Sequence, residues 1–268
     1  MLSVRTILKM NPRYILFIHL VLNDLILLTT SICLFIFIFI FQTVSICLVF
    51  LLPPVLTAHN SPLILAFMAA ECYISVCVPL RYETICTVKR TYIVIGTIWI
   101  ISSLTILPDV FILFATEPLE FFNSRVFCER DNVFRSSYSV NKRNTSHIMF
   151  LVVVWITLFY TYFRILFVAK AAASNAKKAR TTILIHGFQL LLCTMVYVQP
   201  LLNKVLTGSF PAASMFFVSF IIFQILPRFL SPIIYGLRDK TFSKYLTRTI
   251  TCTITINIYP QKRLKMPS

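Results

Sequence analysis

Six apolar stretches, each about long enough to cross a bilayer as a helix, dominate the 268-residue chain. They run over about 14–40, 46–70, 92–115, 148–170, 182–202 and 213–236. A helix needs roughly 20 apolar residues to cross the hydrocarbon. The first two stretches are nearly continuous, parted only by the mildly polar Gln42, Thr43 and Ser45. Composition leads to the same place. Only 13% of residues are charged, whereas a soluble domain carries nearer a quarter. Too little polar residue is present to cover a water-facing globule, so the expected fold is an all-α membrane bundle of about six helices.

The chain contains no GxGxxG, Walker, HExxH or GxSxG sequence, so nothing supports an enzyme. Its net charge of +16 raises nucleic acid as a partner, but a nucleic-acid binder gathers its basic residues on one face or arm. Here they sit between apolar runs, as anionic lipid and the insertion machinery select. Membrane lipid is therefore the expected partner. Of the 25 Lys and Arg, 18 fall in the N-terminal segment, the second and fourth connections and the tail. Six fall in the alternate connections, and Arg228 lies inside the last span. Lys and Arg accumulate on the cytoplasmic side, which predicts both termini in the cytosol. Residues 1–268 then form one transmembrane domain. Phe242, Tyr245, Leu246 and Ile250 recur at helical spacing among Lys and Arg, so 237–268 reads as an interfacial amphipathic helix and tail.

A charge in hydrocarbon costs at least about 2.5–3.5 kcal/mol even on lenient scales, so each asks for a reason. Asp24 falls mid-span and reads either as a structural hydrogen-bond hub or as a site for a small cation with Ser61 and Ser231. Glu71 falls near the cytosolic end of the second span, where a carboxylate reaches water. Cys47, at the outer end of the second span, and Cys128, in the outer connection of about 116–147, share an oxidising side. They are open to a disulfide or to two free thiols. Asn144-Thr145-Ser146 is an N-glycosylation sequon in that connection, a triplet that also arises by chance. Prolines at 53, 54, 62, 108, 200, 227 and 232 predict kinked helices.

Met68-Ala69-Ala70-Glu71-Cys72-Tyr73 through Pro79-Leu80-Arg81-Tyr82 resembles the odorant-receptor signature that ends the third helix of that family. Asn11-Pro12-Arg13-Tyr14-Ile15-Leu16 through Asn23-Asp24 resembles the start of the second helix in fish members. Lys178 to Thr182 with His186-Gly187-Phe188-Gln189 resembles the sixth, and Ser231-Pro232-Ile233-Ile234-Tyr235 to Arg238 the end of the seventh. Four matches in order resemble a fish odorant receptor of the rhodopsin-like, G-protein-coupled class.

The resemblance implies a plasma-membrane receptor that binds a small water-soluble odorant between its outer helix halves and couples to a heterotrimeric G protein of the olfactory stimulatory type. It implies a Cys47–Cys128 bridge and a sodium site at Asp24 with Ser61 and Ser231. It assigns coupling and activation to Glu71, Cys72, Tyr73, Tyr162 and Tyr235. By depth and face, the pocket falls to Val55, Ala58, His59, Phe150, Thr194, Tyr197 and Val198, and His59 or Arg228 would suit an acidic odorant. Two departures stand out. Cys72 replaces the Arg of the family triplet, and the chain begins near the family's first inner loop, so the resemblance implies that a first helix is missing. A gene-model truncation, a non-signalling remnant and a true short form all fit that departure. A six-helix transporter or channel is the reading from another class.

Overall fold

The computed structural model describes residues 11–40, 43–126, 128, 130–171, 184, 187–188, 191–192 and 218–230. Four long helices organise them: α1 (Pro12–Ile40), α2 (Val44–Cys77), α4 (Val88–Thr116) and α7 (Ser137–Ala171). Short helices α3 (Tyr82–Ile85), α5 (Leu119–Asn123) and α6 (Arg130–Val133) lie in the connections. Each long helix is apolar enough over membrane-crossing length to span a bilayer. Residues 218–230 are helical and include a π turn over Phe220–Ile225. Of the fifth predicted span, 182–202, only isolated helical residues are described, and 237–268 lies wholly outside the described residues. Residues 1–228 form one compact unit and 229–268 a second.

Helix α2 is the hub of the first unit, packing against α1, α4 and α7. Leu48, Leu51, Ile64, Leu65, Met68 and Ala69 are among its buried side chains. By contrast α4 and α7 keep Ile100, Leu104, Phe111, Ile156, Phe163 and Phe167 exposed. In lipid an apolar outer face carries no hydrophobic penalty, so these faces are built to meet acyl chains. Polar contacts then link the helices. The Trp99 indole N–H on α4 donates to His19 Nε2 on α1 at 2.9 Å.

Two predicted boundaries move. The second span reaches Cys77 rather than stopping near 70, so Glu71, Cys72 and Tyr73 lie inside the helix. Glu71 is not a solvated helix end, because the side chain is only 6% exposed and fully engaged. The fourth span starts at Ser137, eleven residues before the apolar run. The long connection accordingly shortens, and Asn144 sits exposed on the first turns of α7. Hydrophobicity marked only where α7 enters lipid. Its polar first turns are held by ion pairing of Lys142.

Candidate functional site

One end of the bundle is closed by the disulfide. Cys47 at the start of α2 is bonded to Cys128, with Cα atoms 5.6 Å apart. The connection is fastened further by Val44 N–H donating to Ser124 O and by Ser45 Oγ donating to Phe122 O at 2.8 Å. Around the bridge, Leu48, Leu51, Leu113, Phe121, Val133 and Phe134 form a buried cluster, with Val55 packed at its margin. The Arg135 guanidinium lies 4.1 Å over the Phe121 ring. A rigid cover therefore sits over the mouth of the helices.

Under this cover lie His59, His147 and Phe150. His59 Nδ1 is 2.8 Å from the Val55 carbonyl. A carbonyl only accepts, so Nδ1 carries the proton and the neutral ring presents Nε2 as an acceptor. His147 Nε2 lies 3.0 Å from that atom and must donate to it. Phe150 meets the His59 ring edge-on at 6.2 Å. Val55, Ala58, His59 and Phe150 thus share one region, with His59 buried and the others half-buried. Thr194, Tyr197 and Val198 lie outside the described residues. His147 was missed by the sequence reading. It lies 88 residues from His59 in the sequence, and only the fold brings the two together.

Asp109 was missed as well, although an acid inside an apolar run is the same signal that singled out Asp24. Its buried carboxylate takes Lys142 Nζ at 2.6 Å and lies 3.8 Å from Arg130. The three residues tie α4 to α6 and α7 beside the histidine pair.

In the middle of the bundle Asp24 is 4% exposed. Ser61 Oγ donates to its Oδ1 at 2.9 Å, and the Arg228 guanidinium donates to the same oxygen at 3.1 Å. Asn23 donates to Ser61 Oγ and to the Thr57 carbonyl, both at 2.9 Å, while Asn60 donates to Asn23. Ser231 lies outside the described residues. Arg228, read from sequence as suited to an acidic odorant, is instead paired with Asp24.

At the far end from the disulfide, Arg13 on α1 forms a two-pronged contact with Glu71, Nε to Oε2 at 2.9 Å and Nη2 to Oε1 at 3.1 Å. Arg13 also donates to Ser75 Oγ at 3.0 Å, and the Tyr82 hydroxyl donates to Glu71 Oε1 at 2.6 Å. Burial, and next the hydrogen bond to Glu71, push the Tyr82 phenol above its ordinary range. Burial likewise raises the nearby Cys86 thiol. Cys72 points elsewhere, buried against Ile165 with Tyr73 and Tyr162 packed on them. The guanidinium absent at position 72 is therefore not missed by Glu71, since Arg13 supplies one from 58 residues away. Tyr235 lies outside the described residues.

Residues 2–257 match the model of the 7 transmembrane receptor (rhodopsin family). Odorant receptor 131-2 of Danio rerio is 32% identical over 217 residues, which cover 78% of this chain and 66% of that protein. Olfactory receptor 2AG2 of Homo sapiens is 27% identical over 199 residues, covering 70% and 61% respectively. Olfactory receptor 2T10, also human, is 26% identical over 200 residues, covering 70% and 62%. The chain spans just under two thirds of the length of these relatives.

Proposed function

Because this chain belongs to the rhodopsin family of seven-transmembrane receptors, we propose that it is an odorant receptor of olfactory sensory neurons. A small water-soluble odorant would bind between the helix halves at the disulfide end, and a heterotrimeric G protein of the stimulatory type would dock at the Arg13–Glu71 end. The observation that carries the reading is the group of His59, His147 and Phe150 beneath a cover pinned by Cys47–Cys128. Pockets for small molecules are mostly apolar with a few placed polar groups, and this region has that make-up. Val55 and Ala58 complete it on the α2 side, and Thr194, Tyr197 and Val198 are proposed from the facing spans.

The cytosolic assignment of both termini rests on the distribution of Lys and Arg. It sets Glu71, Cys72, Tyr73, Tyr162 and Tyr235 on the coupling side, and Asn144 on the glycosylated side. The domain reading follows from the same distribution, with 1–268 as one membrane domain whose tail, 237–268, lies on the inner leaflet.

The test is odorant-evoked cyclic AMP in cells expressing the 268-residue chain, alone and with a receptor first helix fused to its N-terminus. A panel of water-soluble acids, amines and alcohols serves as ligand. A response in either form, with half-maximal concentration shifted tenfold or more by His59→Ala or Phe150→Ala at equal surface expression, supports the reading. Silence of both forms at normal surface expression sinks it.

A further inference from the structure

The sodium ion implied at Asp24 does not fit the residues around that carboxylate. The hydrogen bonds there run in one direction, from Asn60 to Asn23, from Asn23 to Ser61 and from Ser61 to Asp24. Ser61 Oγ already accepts from Asn23 and donates to Asp24, so it has at most one lone pair left for a cation. The same oxygen already meets a full positive charge on Arg228, 3.1 Å away. Asn23, Asp24, Asn60, Ser61 and Arg228 are all nearly sealed, none more than 4% exposed. A sodium ion entering here would stand in contact range of a guanidinium, with one carboxylate between two cations and no water to screen them.

We propose that Arg228 is a built-in cation that takes the place of sodium at Asp24. It makes the native state of this chain insensitive to sodium and ties residues 218–228 to α1. The backbone supports this assignment. A π turn at Phe220–Ile225 ends three residues before Arg228. One extra residue in a helical turn rotates everything after it by about 100°, which resets the face that carries residue 228. The turn also brings Phe220 onto Phe35 of α1, with ring centroids 5.0 Å apart. Two contacts about two helical turns apart therefore fix this helix to α1, one stacked and one ionic. Arginine suits the role better than lysine, because its planar fork stays charged when buried and holds its geometry.

The experiment uses the purified 268-residue chain in lipid nanodiscs and reads the thermal midpoint in NaCl and in choline chloride at matched ionic strength. A ligand bound only by the native state raises the midpoint as its concentration climbs above Kd. The wild-type curves should superimpose in the two salts. Arg228→Met should melt lower, and NaCl should then raise its midpoint above that in choline. Asp24→Asn should melt lower with no difference between salts. A wild-type midpoint that climbs in NaCl alone overturns the proposal, and so does an Arg228→Met midpoint equal to that of wild type. If Arg228→Met does not fold, the wild-type comparison decides the question by itself. Because the readout is stability, its failure is separable from a failure of odorant signalling.

Discussion

Asp24 and Glu71 are both carboxylates within apolar helices, and each is met by an arginine from a distant part of the chain. Their surroundings differ. Asp24 and Arg228 have side chains 4% and 2% exposed, whereas Arg13 is 30% exposed beside a 6% exposed Glu71. Arg13 is open enough to turn to water or headgroups, but Arg228 is not. The Asp24 pair also rests on a directed chain of amides and hydroxyls, while the Glu71 pair is completed by a phenol at the membrane boundary. One pair is thus suited to hold helices together in every state. The other is suited to open and close.

The largest expected effect separates the two pairs by their coupling. Breaking a buried ion pair by removing one partner costs about 3–5 kcal/mol, because a charge is left unmatched. Arg228→Met and Asp24→Asn should each destabilise the chain strongly. The double variant should lose much less than the sum, with non-additivity of about 1.5 kcal/mol or more. Denaturant or thermal unfolding of the four proteins of this cycle measures it. Additive losses would mean that the ionic contact is incidental to packing.

A smaller effect is expected at Arg13. A hydrogen bond to a charged group contributes about 1.5–3 kcal/mol, and the exposure of Arg13 lowers that through solvent screening. Arg13→Ala should therefore cost about 1 kcal/mol. Arg13→Lys should recover only part, because a single ammonium cannot reproduce the two-pronged contact. Full recovery by Lys would show that charge alone matters there, and would erase the contrast in geometry between the two ends.

Much of this architecture is legible in the sequence itself. Spans α1 and α4 begin and end within a few residues of the apolar runs, because lipid contact and helix length impose the same pattern. Cys47 and Cys128 were legible from their shared side of the membrane. What stayed hidden were partnerships between positions far apart. Arg13 and Glu71 are separated by 58 residues, Asp24 and Arg228 by 204, and neither separation leaves a local signature. The polar start of α7 was hidden for another reason. Its helix is set by Lys142 reaching Asp109, and no hydrophobic period announces it. Asp109 itself carried the legible signal of an acid in an apolar run.

The smallest predicted effect is also the most specific to the boundary pair. The Tyr82 hydroxyl donates to Glu71 Oε1, which also accepts from Arg13. Removing it with Tyr82→Phe leaves Glu71 still paired, so the loss should be about 1 kcal/mol. Its pH dependence follows from the direction of the phenol's shift. Burial and the bond to Glu71 hold the phenol above its ordinary value, which is near 10 for a free tyrosine. A raised folded value means that the contribution is fully present below the unfolded value. It is lost only as pH rises through the higher folded one. The stability gap between wild type and Tyr82→Phe should therefore stay constant from about pH 6 to pH 9. Cys86 shares this surrounding and is raised in the same direction, but the thiol is present in both proteins, so its own pH dependence cancels in the gap. A gap that closes below pH 9 would mean that the phenol ionises early and does not donate to Glu71. The boundary pair would then be Arg13 and Glu71 alone, more loosely held than the geometry indicates and further still from the sealed pair at Asp24.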